Sequence, residues 1–63
     1  MPRIGIQFET EREEAEERAA GGNGRVTADG DYYREETVSV NMYQQLRNAA
    51  ELDPEATVVK VEL

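Results

Sequence analysis

The segment from Glu9 to Arg18 constrains this chain more than any other. It holds six carboxylates within ten residues, and the whole chain carries a net charge of −7 over 63 residues. Like charge of this density opposes compact folding and repels nucleic acid, membranes and acidic metabolites. We therefore expect the partner of this chain to present a basic surface.

The same segment has the features of a helix. Thr10 stands three residues before Glu13, which is the spacing of a capping box, so a helix is predicted to begin at Glu11. Gly21 or Gly22 is predicted to end it, because glycine readily adopts the left-handed conformation found there. Its apolar seam, which can lie against a sheet but buries little, consists of Ala15, Ala19 and Ala20.

The length of the chain predicts one domain, residues 1–63, with a small core. A chain of this size buries roughly 60% of the surface that its unfolded state exposes. Because the sequence has no Cys and no His, we expect neither a disulfide nor a structural zinc. Local propensity or oligomerisation must then hold the fold together.

Hydropathy gives an expectation about location. No apolar run approaches the ~20 residues that span a bilayer, and the N-terminus lacks the apolar core of a signal peptide. The lack of Cys fits a reducing compartment. We expect a soluble, cytoplasmic protein.

Strand patterns stand on both sides of the first helix. Residues 3–9 alternate, with Ile4, Ile6 and Phe8 on one face. Residues 25–28 form a short strand, and the Asp29-Gly30 dipeptide is a tight turn. Residues 37–40 are predicted to be extended, while residues 34–36 fit a strand, a bulge or a turn.

A second helix and a final strand complete the pattern. Asn41 is predicted to cap a helix over residues 42–52, in which Tyr43 belongs to an apolar stripe that faces the core. Residues 57–63 form the last strand. Its inward positions are predicted to be Val59, Val61 and Leu63.

The order of elements is therefore β-α-β-β-α-β, which predicts an α+β fold. We expect a mostly antiparallel sheet with both helices on one face. This order resembles a miniature ferredoxin-like arrangement, with the first and last strands in the centre of the sheet.

The acidic residues are the candidate binding site. Carboxylates three or four residues apart on a helix lie ~5–6 Å apart at Cβ. Phosphates along a DNA strand lie roughly 6–7 Å apart through space, so such a row resembles a row of phosphates. A solvated helix face is the alternative. The partner-binding carboxylates are predicted to be Glu11, Glu13, Glu14, Glu16, Glu17, Asp29, Asp31, Glu35 and Glu36.

Tyrosine adds one further candidate. Tyr32 and Tyr33 are adjacent, so in a strand they face opposite sides of the sheet. One is expected in the core and the other exposed, where a Tyr among acids is suited to an interface. We assign Tyr32 to the partner-binding set, with a partly buried sheet residue as the alternative.

The sequence offers little support for calcium binding, phosphate binding or catalysis. The Asp29-Gly30-Asp31 start of a calcium loop fails at Arg34, where glycine is required, and at Val40, where a bidentate Glu is required. The glycines at 21, 22 and 24 follow a helix, whereas a phosphate-binding loop opens one. With no His or Cys, general base or thiol catalysis is not expected. No metal, no cofactor and no enzymatic activity are predicted.

In size, acidity and lack of catalytic residues, the whole chain resembles the small phage-encoded anti-CRISPR proteins that mimic DNA. This resemblance implies an inhibitor that occupies the basic nucleic-acid-binding groove of a CRISPR surveillance complex and blocks its engagement of DNA. Because it contacts the complex, no direct binding of nucleic acid is implied.

Two other functions are consistent with the same residues. One is a protein–protein adaptor or antitoxin-like partner, with its acidity serving solubility and its affinity nearly independent of salt. Alternatively, the acidity belongs to a halophilic domain, which would require molar salt to fold.

Overall fold

The computed structural model describes residues 1–22 and 24–63. Asn23, in the predicted Gly21–Gly24 connector, lies outside the described residues. The elements are β1 (Arg3–Phe8), α1 (Arg12–Ala20), β2 (Arg25–Val26), β3 (Tyr32–Thr37), α2 (Val40–Leu52) and β4 (Ala56–Glu62). The predicted β-α-β-β-α-β order and the α+β class are confirmed.

The four strands form one antiparallel sheet in the order β2-β3-β1-β4. β3 lies between β1 and β2, which is the split β-α-β arrangement. The prediction that the first and last strands are central is correct for β1 and wrong for β4. Since β3 takes one side of β1 and β4 takes the other, β4 forms an edge of the sheet.

The start of α1 differs from the predicted capping box. The helix begins at Arg12, and its N-cap residue Glu11 makes no side-chain capping bond. Thr10 instead donates its hydroxyl to the carbonyl of Gly30 at 3.4 Å. The hydroxyl that was expected to cap the helix thus ties the β2–β3 turn to the chain before α1.

β3 is longer toward its N-terminus and ends earlier than expected. Residues 34–36 are strand, whereas residues 38–40, predicted to be extended, leave the sheet. The reason is the cap of α2, where the Ser39 hydroxyl accepts a hydrogen bond from the Met42 N–H at 3.2 Å. Ser39, not Asn41, is therefore the N-cap, and α2 starts two residues before the predicted position.

A β-bulge shifts the alternation of β4. Ile6 is opposite Val58, but the preceding residue of β1, Gly5, is opposite Lys60. Val59 is the additional residue of the bulge, and one additional residue reverses which side chains face the helices.

The bulge explains why Val59, predicted to face inward, is exposed, whereas Leu63 lies beyond the last residue of β4. Val59 is 56% exposed and Leu63 is 91% exposed. Ala56 and Val58 pack against the core in their place. Val61 is opposite Ile4, on the helix-covered face, yet it remains 41% exposed at the sheet edge.

The core lies between the sheet and α2. It contains Ile4, Ile6, Tyr43 and Ala50, surrounded by Phe8, Val38, Leu46, Ala56 and Val58. The predicted inward face of β1 and the core position of Tyr43 are confirmed. α2 covers β1 and β4, and α1 covers β2 and β3 on the same face. No Cα atom of α1 lies within 8 Å of one in α2.

Candidate functional site

The acidic residues of α1 are exposed because the residues of this helix that face the sheet are alanines. Ala15 is fully buried and Ala19 is half-buried, while every other residue of the helix is exposed. Successive residues turn by ~100° around a helix, which directs Glu13 and Glu17 away from Ala15 and places Glu16 on the side of the helix. Small side chains bring the helix close to the sheet and leave its charged residues in solvent.

The two arginines of α1 turn toward the protein. The Arg12 guanidinium donates to the carbonyl oxygen of Ala28 at 3.2 Å. The Arg18 guanidinium lies 5.8 Å from the ring centroid of Tyr32 and bonds to the Glu14 carboxylate at 3.2 Å. Both cations thus help to hold α1 against the sheet.

This arrangement leaves three carboxylates of α1 without an ion-pair partner. Among the described residues, Glu13, Glu16 and Glu17 form no ion pair within 4.0 Å. Their negative charge is therefore directed into solvent.

The β2–β3 turn extends this surface. Arg12 donates a hydrogen bond to the carbonyl of Ala28, and Thr10 donates one to the carbonyl of Gly30. The exposed Asp29, between Ala28 and Gly30, therefore lies beside the N-terminus of α1. The predicted tight turn is confirmed, with Gly30 at a φ of 91°. We call the resulting group the acidic surface, and its members are Glu11, Glu13, Glu14, Glu16, Glu17 and Asp29.

Asp31 belongs to the interior of the turn. Its carboxylate accepts hydrogen bonds from the Gln7 side chain at 2.9 Å and from the Thr10 N–H at 3.3 Å. Its own N–H donates to the Thr27 hydroxyl at 3.1 Å. Asp31 therefore holds the turn in place and is separate from the acidic surface.

Glu35 lies on the face of the sheet that no helix covers. It forms ion pairs with Arg3 at 2.8 Å and with Lys60 at 3.1 Å, and it accepts a hydrogen bond from the Tyr33 hydroxyl at 3.3 Å. The hydrogen bonds from Arg3 and Lys60 lower the pKa of the Glu35 carboxyl from 4.5 to about 2. The Glu35 carboxylate therefore links neighbouring strands of the sheet and is separate from the acidic surface.

Glu36 is also separate from α1. It is opposite Ile4 in the sheet, so it lies on the helix-covered face near the end of β3. There its carboxylate pairs with the guanidinium of Arg34.

The two adjacent tyrosines face opposite sides, as predicted, but Tyr32 is the buried one. It is 6% exposed and packs against Phe8 with their ring centroids 6.1 Å apart. Tyr33 lies on the uncovered face, with the Arg25 guanidinium 4.7 Å from its ring centroid. The assignment of Tyr32 to a partner-binding surface is therefore corrected to a core position.

The uncovered face of the sheet has a different charge from the α1 side. Its ionised residues are Arg3, Arg25, Lys60, Glu35 and Glu62. Three of the seven basic residues of the chain lie there against only two of its fourteen acids. The net negative charge of the protein is thus concentrated away from the uncovered face of the sheet. Sequence reasoning missed this segregation because it requires the strand register.

Across residues 1–22 and 24–63, no group of three acidic side chains is placed to hold a metal ion. Neither helix in this part of the chain is long and apolar enough to cross a membrane. No protein-family model, curated protein or solved structure matches this chain.

Proposed function

We propose that this protein is a DNA-mimicking inhibitor that binds through its acidic surface to the basic nucleic-acid-binding groove of a host defence complex. The observation that carries the proposal is the arrangement of α1, whose carboxylates face solvent while Arg12 and Arg18 turn inward. A basic groove that approaches Glu13 and Glu17 would meet two carboxylates that form no ion pair among the described residues.

The spacing of the carboxylates supports this mode of binding. Glu13 and Glu17 are four residues apart, which places their Cβ atoms ~5–6 Å from each other. Neighbouring phosphates of one DNA strand are separated by roughly 6–7 Å. Lys and Arg side chains that grip successive phosphates would therefore meet successive carboxylates of α1.

The target class follows from the charge. Arg- and Lys-lined grooves for duplex DNA occur in multi-subunit CRISPR surveillance complexes, and a subunit that engages duplex DNA beside the target is a suitable site. Occlusion requires neither catalysis nor a cofactor. Such complexes act in the bacterial cytoplasm, where we place the protein. Electrostatic steering would accelerate the encounter and weaken as salt is added.

The test is a capture experiment followed by a competition experiment. The immobilised protein is exposed to bacterial lysate, eluted with stepped salt, and the eluted proteins are identified by mass spectrometry. The captured complex is then mixed with fluorescently labelled target duplex, and displacement of the duplex is followed by anisotropy. We expect wild type to displace the duplex and E13K/E17K to lose this ability.

The matched control is E51K/E55K, which changes the net charge equally at exposed residues outside α1. We expect it to retain most of the activity. Equal loss in both variants would mean that only total charge matters, and retained activity in E13K/E17K would exclude α1. Binding that does not change with salt would favour the protein–protein adaptor, whose acidity serves solubility alone.

A further inference from the structure

The outer edge of β4 is open. β4 is the last strand in the sheet order, and within residues 1–22 and 24–63 no strand pairs with its outer side. An edge strand presents a row of unpaired backbone N–H and C=O groups, which can pair with a strand of another chain.

This edge is also apolar. Val59, Val61 and Leu63 are 56%, 41% and 91% exposed. Leu63 also lines an open hollow of about 530 Å³. The other lining residues of this hollow are Met1, Pro2, Ser39 and Val40. Val40 and Met1 are themselves 61% and 86% exposed. The edge and the hollow together form one apolar strip at the end of the sheet.

We propose that the occupant of this edge is a second copy of the chain, which pairs β4 with β4 in antiparallel orientation about Val61. In this register Val61 of one copy is opposite Val61 of the other. Lys60 of each copy is opposite Glu62 of the other, and Val59 is opposite Leu63. The two sheets become one sheet of eight strands, and this inference does not depend on the proposed function.

Charge complementarity selects this register. A pairing centred on Lys60 would place the two lysines opposite each other, and a pairing centred on Glu62 would do the same with two carboxylates. Like charges directly opposite across strands are destabilising, whereas opposite charges are stabilising. Only the pairing about Val61 places the lysine of each β4 opposite an acid and its apolar residues opposite apolar residues.

The net charge of −7 per chain does not prevent this association. α1 packs on β2 and β3, at the far side of the sheet from β4. With strands ~4.8 Å apart, the two copies of α1 would lie about 29 Å from each other across the joined sheet. This distance is more than three times the Debye length of about 8 Å at physiological salt, so the two acidic helices are screened from each other.

The test measures the mass of the full chain by sedimentation equilibrium from micromolar to millimolar concentration, at about 0.15 M ionic strength. We expect a reversible dimer of twice the 7.1 kDa chain mass. K60E and E62K each change two symmetry-related pairs from opposite to like charge. We expect each variant to raise the dimer dissociation constant by about tenfold or more.

A mixture of the two variants supplies the decisive comparison. K60E carries two acids on this stretch of β4 and E62K carries two lysines, so together they restore opposite charges at both positions. We expect the equimolar mixture to form a heterodimer although each variant alone is mainly monomeric. E17K, which changes the net charge as E62K does but lies on α1, is expected to dimerise like wild type, and circular dichroism confirms that each variant is folded.

Three outcomes would overturn the proposal. A wild-type chain that remains monomeric at millimolar concentration excludes the dimer. A dimer unaffected by both K60E and E62K lies elsewhere on the surface. A mixture no more associated than its components excludes the antiparallel register about Val61. None of these outcomes bears on the acidic surface, so the proposed function is tested separately.

Discussion

At the scale of single residues, the uncovered face of the sheet shows how a carboxylate in an acidic chain becomes structural. Glu35 is held by Arg3, Lys60 and the Tyr33 hydroxyl. The Tyr33 ring crosses above Gly5, where a Cβ atom would overlap its hydroxyl. These contacts join β1, β3 and β4 on the side of the sheet that lacks a helix.

The stability of this network is predicted to depend on acid pH. The folded-state pKa of Glu35 is about 2, below its ordinary value of 4.5. The stabilisation is therefore fully present above pH 4.5 and is lost as the pH falls toward 2. We expect the difference in unfolding free energy between wild type and E35Q to be constant near neutrality and to shrink through this window.

Urea unfolding at a series of pH values measures this difference. Subtracting E35Q is necessary because protonation of the other acids also relieves the repulsion within a chain of net charge −7. A difference that does not change between pH 7 and pH 2 would mean that Glu35 is not held by Arg3 and Lys60 in solution.

At the scale of elements, α1 depends on very little apolar contact. Ala15 is its one fully buried residue, whereas α2 buries Tyr43 and Ala50. Local opening is easiest where few apolar contacts are lost. The helix that carries the acidic surface is therefore the element of lower local stability.

A15L tests how α1 is attached. Added methyl groups have no room at a position with 0% exposure, and overpacking typically costs about 1–3 kcal/mol. We expect A15L to destabilise the protein by this amount and to increase amide hydrogen exchange in α1 much more than in α2. Hydrogen exchange followed by NMR makes the comparison.

A20L is the matched control, because Ala20 is exposed at the end of the same helix. It should leave both stability and exchange nearly unchanged. If A15L is tolerated as well as A20L, the close approach of α1 to the sheet is not maintained in solution.

At the scale of the whole molecule, the distribution of charge decides how the fold responds to salt. The acids of α1 face solvent, and Lys and Arg residues on the uncovered face of the sheet balance the acids there. Salt at about 0.15 M screens exposed charges beyond ~8 Å. Moderate salt is therefore sufficient to limit the self-repulsion of the chain.

We predict that the protein folds without molar salt. The melting temperature should rise between low salt and about 0.15 M, where most of the screening is gained, and change less above it. Thermal unfolding followed by circular dichroism at low, physiological and molar NaCl measures this. A chain that is folded only in molar salt would instead support the halophilic alternative.

Several features of the fold were predictable from local patterns. The alternation of Ile4, Ile6 and Phe8 predicts the inward face of β1, and the Asp29-Gly30 dipeptide predicts the turn. Hydrophobic periodicity of this kind depends only on neighbouring residues, so it is visible in the sequence.

The candidate site was predictable in part. The acidic run on α1 lies at the surface, as the sequence indicates, and Asp29 joins it. Asp31, Glu35 and Glu36 lie apart, because the turn and the strand register give each of them a nearby donor or cation. The partners of Asp31 and Glu35 on β1 and β4 are distant along the chain, and Arg34 lies beside Glu36 only because residues 34–36 are strand.

The sequence by itself determined the order of the elements, the acidic character of α1 and its alanine seam, because these depend on residues within one or two turns of each other. The tertiary structure decided which hydroxyl caps which helix, where Val59 interrupts β4, and which tyrosine is buried. The Thr10 hydroxyl is taken by Gly30 of a distant turn, and the bulge and the buried tyrosine are set by pairing between strands that are far apart in sequence. Local propensity cannot specify such pairing, because every alternative register satisfies the same local pattern until the strands meet.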